Sequence, residues 1–134
     1  MLEYKEFDSS RLEEIKEIYK EQGWTAFLND DKKLMRAYDN SLYVYGIFDK
    51  DKLVGFVRCV GDGEHIVVIE DLIIKADYQR QGLGTKLLQH VFEKYADVRM
   101  LSLYTDKVDV KANSFYKKMG MRLVEEMGAV SYIR

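Results

Sequence analysis

The chain has 134 residues, 47% hydrophobic, 33% charged and 13% aromatic, which is enough apolar material for one globular core and too much for a disordered segment. A net charge of −2 gives no chain-wide attraction for nucleic acid or an anionic membrane, so an anionic ligand has to be held locally. The single cysteine, Cys59, excludes a disulfide framework and a thiolate metal cluster within the chain.

MLEYKEFDSS lacks the apolar run of a secretory signal, and no stretch approaches the roughly 18 apolar residues of a membrane span. With no proline and no Ser/Gly-rich linker, the expectation is a single cytoplasmic domain over residues 1–134, with neither nucleic acid nor membrane as partner. LEYKEF, residues 2–7, alternates like a short edge strand. Ser10 and Glu13 have capping-box spacing ahead of Leu12, Ile15, Ile18 and Tyr19, one helical face that stops at Gly23. Trp24, Phe27, Leu28, Leu34, Met35 and Tyr38 suggest a second helix, interrupted by a loop or cap at Asn29-Asp30-Asp31.

LYVYGIF and LVGFVRCV, joined by DKDK, predict an antiparallel hairpin, and GDGE makes the next turn. HIVVIEDLIIK, residues 65–75, is too continuously apolar for an exposed edge and is expected inside the sheet. Leu83, Leu87, Leu88, Val91, Phe92 and Tyr95 then form a helical stripe from about Gly84 to Tyr95. VRMLSLYT follows as a strand parallel to its predecessor. A helix with Val108, Ala112, Phe115 and Met119 runs to Gly120, and MRLVEE with AVSYIR reads as a closing hairpin. The predicted order is β-α-α-β-β-β-α-β-α-β-β, an α/β (α+β) domain with a mixed sheet. His65 and His90 lack ligand-spaced partners, so no metal site is expected.

The turn DYQRQGLGTKLL is the most informative stretch. It is not a P-loop, because Gly84-Thr85-Lys86 lacks the upstream glycine and the Lys-Thr order, and it fails the dinucleotide fingerprint because Leu87 stands where the third glycine belongs. Amides at a helix N-terminus carry about half a positive charge, so they can seat a pyrophosphate on a protein that is not basic. Glycines at 82 and 84 would let a phosphate approach the bare backbone and permit angles other residues avoid.

Gln79-Arg80-Gln81-Gly82-Leu83-Gly84 matches Q/R-x-x-G-x-G/A, and LIIKADYQRQGLGTKLL resembles the cofactor motif of the GNAT family of N-acetyltransferases. The resemblance extends over nearly the whole chain in element order. It implies a mostly antiparallel twisted sheet whose central parallel pair splays around acetyl-CoA, next to a bulge in the strand before the loop. It assigns cofactor contacts to Leu72, Ile73, Ile74, Gln79, Arg80, Gln81, Gly82, Leu83, Gly84 and Thr85, with the Leu72 amide facing the thioester carbonyl. Lys75, Arg80 and Lys86 could add charge near the phosphates.

NSFYKKMG, residues 113–120, resembles the family's helix with an asparagine ahead of a Phe-Tyr pair, which makes Asn113 a cofactor contact and Tyr116 both a contact and the general acid for the departing thiolate. Glu70 stands where the family often keeps its general base, with Asp71 in reserve, and the bland alternative is an ion pair of either carboxylate with Arg58 or Lys75. The implied activity is direct acetyl transfer from acetyl-CoA to a primary amine, small molecule or peptide, on a chain for which a homodimer is compatible. A non-catalytic CoA-binding sensor of the same fold is the alternative. Ala76 replaces a frequent proline, and Gln79 a commoner arginine.

Overall fold

In the computed structural model, which describes residues 1–134, the β-branched and aromatic runs become five strands in spatial order β1-β2-β3-β4-β5. The elements are β1 Leu2–Glu6, α1 Leu12–Glu21, α2 Asp31–Asp39, β2 Tyr43–Asp49, β3 Lys52–Gly61, β4 Ile66–Ile74, α3 Leu83–Lys94, β5 Met100–Leu103 and α4 Val110–Lys118. Residues 1–103 form one compact unit and residues 104–134 a second.

In the first unit, β1 through β4 pair antiparallel, and β5 joins β4 in parallel through Ile66–Ile69 and Met100–Leu103. The β2–β3 turn has positive φ at both Lys50 (51°) and Asp51 (64°), the twist a tight hairpin requires, here without glycine. One sheet face carries α1 and α2: Ile15, Ile18, Tyr19, Leu34 and Tyr38 pack with Val44, Phe48, Phe56 and Ile73. Side chains alternate across a strand, so Tyr43, next to Val44, faces the other side. There α3 buries Leu87, Leu88 and Val91, and its His90 hydrogen-bonds the Tyr43 hydroxyl at 2.8 Å. Two covered faces explain why β4 reads as a nearly unbroken apolar run.

Three expectations need correction. The Ser10–Glu13 capping box does not form: Asp8 accepts from the Ser10 amide at 2.9 Å and opens a short 3-10 turn, Ser9–Arg11, that leads into α1. Asp30 does cap α2, through the Lys33 amide at 3.1 Å. Gly84 does not use the backbone freedom that glycine permits: it lies in the first turn of α3, and Gly82 alone of the two has positive φ, 76°.

The third correction concerns the second unit and the sheet edge. The closing hairpin is absent, so the parallel pair β4–β5 lies at the edge of the sheet and not at its centre. Residues 124–127 instead form a 3-10 turn closed by Gly128 at φ 79°. Its backbone groups are satisfied locally, Glu126 N by Leu123 O and Gly128 N by Glu125 O, while the Glu126 carboxylate accepts the Leu123 amide. Local bonds of this kind compete with strand pairing. Val130, Tyr132 and Ile133 are left exposed.

Candidate functional site

The site begins with a change of register in β4. Cys59 of β3 pairs with Ile69 and Arg58 with Asp71, so Glu70 is an extra residue with no cross-strand partner. This β-bulge reverses the alternation. Before it, Val67 and Ile69 face α3; after it, Asp71 and Ile73 are the buried residues on the face of α1 and α2. Glu70 itself is exposed.

The bulge also marks where β4 loses its neighbour. Pairing with β5 ends at Ile69, so on the side away from β3 residues 70–74 have no strand partner. The Lys75 amide donates to Val54 O of β3 at 2.9 Å. By strand alternation the amides of Asp71 and Ile73 point the same way, and the backbone groups of Leu72 and Ile74 point to the open edge. Gln79 takes part of that edge, its side-chain amide donating to Ile74 O at 2.9 Å. Leu72 is thus the residue whose backbone is presented there between the bulge and the capped carbonyl.

The chain then turns into α3. Arg80 adopts a left-handed conformation (φ 63°), and Gly82 does so again as the residue before the helix. No side chain caps α3, and its first helical bond runs from Lys86 N to Gly82 O at 3.1 Å. The amides of Leu83, Gly84 and Thr85 therefore project from the helix end with the positive end of the dipole behind them. A Cβ built on Gly82 meets nothing within 4 Å, so the space beside it is open. These features fit a bound pyrophosphate: Gly82 and the three amides would hold it, and Arg80 and Gln81, both exposed, stand at its rim. Leu83 and Ile73, by contrast, turn their side chains into the core and have only backbone to offer.

The turn is braced by α1 and by the end of β2. Lys75 Nζ bonds Glu17 at 2.8 Å, the Ala76 amide donates to Glu21 at 2.7 Å, and Tyr78 donates its hydroxyl proton to Asp49 at 2.6 Å. The missing proline at 76 is offset by an amide that proline could not have supplied.

Asp71 is removed from solvent chemistry. Its Oδ2 accepts from Arg58 Nε at 2.6 Å and from the Tyr19 hydroxyl at 2.7 Å, and Tyr19 and Tyr38 share a further hydrogen bond of 2.6 Å. The Arg58 guanidinium also lies 5.0 Å from the Tyr38 ring centre. Burial pushes both phenol pKa values far above the ordinary range, with Asp71 adding to the shift. The ion pair foreseen for one of the two carboxylates is thus that of Asp71 with Arg58. Tyr19 and Tyr38 carry no sequence signal of this role, because each sits in an apolar helical stripe, where a phenol looks like packing.

In the second unit, Asp109 caps α4 through the Ala112 amide at 2.9 Å. Asn113 Nδ2 donates to the carbonyls of Asp106 (3.0 Å) and Asp109 (2.8 Å), which ties the preceding loop to the helix. Tyr116 is half-buried against Phe115, ring centres 5.2 Å apart. Burial first and the Asp109 charge second raise its pKa, so the phenol holds its proton through the neutral range. No group of three or more His, Cys, Asp or Glu side chains could hold a metal ion, and no helix is long and apolar enough to cross a membrane.

The acetyltransferase (GNAT) family model matches residues 9–121. An uncharacterized N-acetyltransferase, ycf52-like, of Prochlorococcus marinus is 30% identical over 116 residues, 82% of this chain and 62% of the relative. The ycf52 N-acetyltransferase of Gracilaria tenuistipitata is 31% identical over 115 residues, 81% and 60% of the two chains. The chain thus spans about three fifths of the length of the curated relatives it matches. A GNAT-family acetyltransferase structure from Streptococcus pneumoniae superposes with a TM-score of 0.85 at 30% identity, covering 100% of this chain and 97% of the other. The PaiA N-acetyltransferase of Thermoplasma acidophilum, solved with coenzyme A, shares the fold with a TM-score of 0.72 at 19% identity, covering 89% and 88%. With the bulged strand, the open edge and the uncapped helix preceded by Gly82 all within the matched region, the chain belongs to the GNAT family of acetyltransferases.

Proposed function

We propose that the chain is an N-acetyltransferase that moves the acetyl group of acetyl-CoA to a primary amine by direct attack. The observation that carries this reading is the open edge of β4 at Leu72 running, through one braced turn, into the uncapped N-terminus of α3. A pantetheine-like arm has backbone partners along that edge, and a pyrophosphate has the amides of residues 83–85. Acetyl-CoA supplies the activated acyl group when bound.

The protein's own part is proton handling and orientation. Glu70, exposed at the bulge, accepts the proton that an ammonium must lose before the nitrogen can attack, directly or through water. As the N–C bond forms and the C–S bond breaks, Tyr116 gives its proton to the departing sulfur, the nitrogen sheds its second proton to water to leave the neutral amide, and Tyr116 regains a proton from solvent. A phenol whose pKa is raised is fully protonated at neutral pH and so available as that acid. The Leu72 amide supports the carbonyl oxygen as charge builds on it. Asn113 contributes through its remaining amide oxygen, since its nitrogen is committed to the loop.

The acceptor is a small-molecule or peptide amine; a structural neighbour named an aminoglycoside acetyltransferase, solved with sisomicin, supports the small-molecule class. The setting is cytoplasmic, and the chain acts as a single domain, alone or as a homodimer, without a metal. The test is release of free CoA thiol from acetyl-CoA across a panel of small amines, polyamines, amino acids and peptides. Turnover with at least one amine is expected, and Tyr116→Phe should lower it with little change in CoA affinity. Acetyl-CoA that raises the melting temperature without any thiol release would favour a sensor, and no thermal shift with either acetyl-CoA or CoA would overturn cofactor binding itself.

A further inference from the structure

We propose that Asp71 is a positioning residue: clamped by Arg58 and Tyr19, it fixes the register of the β4 bulge, which keeps Glu70 in solvent and the Leu72 backbone on the open edge. The roles of Glu70 and Leu72 rest on the function proposed above; the register inference does not.

Glu70-Asp71 offers Arg58 two carboxylates one residue apart, and the choice between them sets everything downstream. In the observed register Arg58 lies opposite Asp71, Val57 opposite Leu72 and Phe56 opposite Ile73. If the extra residue were absorbed, Arg58 would face Glu70, Val57 would face Asp71, and Phe56 would face Leu72. A slip of one residue exchanges the two faces of a strand. Glu70 would leave solvent, Asp71 would turn toward α3, and the Leu72 amide would swing from the open edge to β3.

The observed choice is enforced by a closed polar cluster. Asp71 is 3% exposed, Arg58 8%, Tyr19 0% and Tyr38 3%. One carboxylate oxygen accepts from both Arg58 Nε and Tyr19, Tyr38 continues the chain, and Ser41 Oγ takes an Arg58 Nη1 hydrogen at 3.3 Å. Tyr19 comes from α1 and Tyr38 from α2, so the helices hold the acid at a fixed height on the strand. Removing one member of a buried pair leaves the other charge without compensation, which is what makes the register strongly specified.

The experiment measures amide hydrogen exchange by NMR in Asp71→Asn, with Glu70 left in place to compete for Arg58. Protection is expected to pass from Asp71 and Ile73 to Leu72, each changing roughly tenfold or more, together with loss of the basic group from the pH profile of turnover. If Asp71→Asn does not fold, Arg58→Met combined with Asp71→Leu leaves no unpaired charge and still removes the clamp, and the same loss of Ile73 protection is expected. Folded variants with wild-type protection at residues 71–74 would overturn the proposal. So would a protection switch that leaves turnover unchanged, because the clamp would then position nothing. If the unmodified protein turns over no amine, the function reading fails, while the exchange pattern still decides the register.

Discussion

At Gly82 the backbone turns left-handed in open space, and the two facts separate stability from binding. Alanine there would pay for positive φ, about 1–2 kcal/mol, and nothing for collision, because the added Cβ has no neighbour within 4 Å. Gly82→Ala should therefore lower the melting temperature by only a few degrees, while the methyl group, set beside the amides of residues 83–85, should weaken CoA binding at least roughly tenfold. Calorimetric titration with CoA beside a thermal melt checks this; unchanged affinity would remove the turn from the phosphate site. The glycine was legible in the sequence because a motif surrounds it. Asp71 was legible only as one of two candidates, since alternation alone cannot say on which side of a bulge a residue falls. Tyr19 and Tyr38 gave no signal, because their hydroxyl partners come from elements distant in the chain.

At the scale of elements, α1 does more than cover the sheet. Its Tyr19 reaches the bulge, and Glu17 and Glu21, on neighbouring turns, hold the start of the turn that leads into α3. Glu21→Ala should free the Ala76 amide, loosen the turn and cost about 1 kcal/mol of CoA binding, roughly fivefold in affinity, with little effect on the melt. Titration of the variant against CoA tests this, and equal affinities would show that the brace is idle. Strands and helices through β5 were readable because each carries a clear period of two or about 3.6. The closing hairpin was misread: β-prone residues flank Met127-Gly128, but Glu126 and Gly128 serve a local turn, and propensity gives no weight to that competition.

For the whole molecule, the buried phenols set an alkaline limit. Tyr19 and Tyr38 have raised pKa values in the folded protein, chiefly through burial, so the folded state holds their protons more tightly than the unfolded chain. Their contribution is fully present below the ordinary tyrosine value near 10 and is lost as pH rises beyond it. Denaturant midpoints measured from pH 8 to 11 should fall above about 10, and less so in Tyr38→Phe; a flat profile would contradict the buried cluster. Trp24 fluorescence, from residues 1–103, and a label placed in residues 104–134 should follow one transition if the chain is a single cooperative domain. Cys59 adds a quieter consequence. It sits fully buried on β3 opposite Ile69, just before the bulge, and burial pushes its thiol up to about 12. A thiol reagent added to the folded protein during turnover should therefore see only the CoA thiol released from acetyl-CoA. The same reagent, added without substrate, would time the rare openings of the sheet at the bulge.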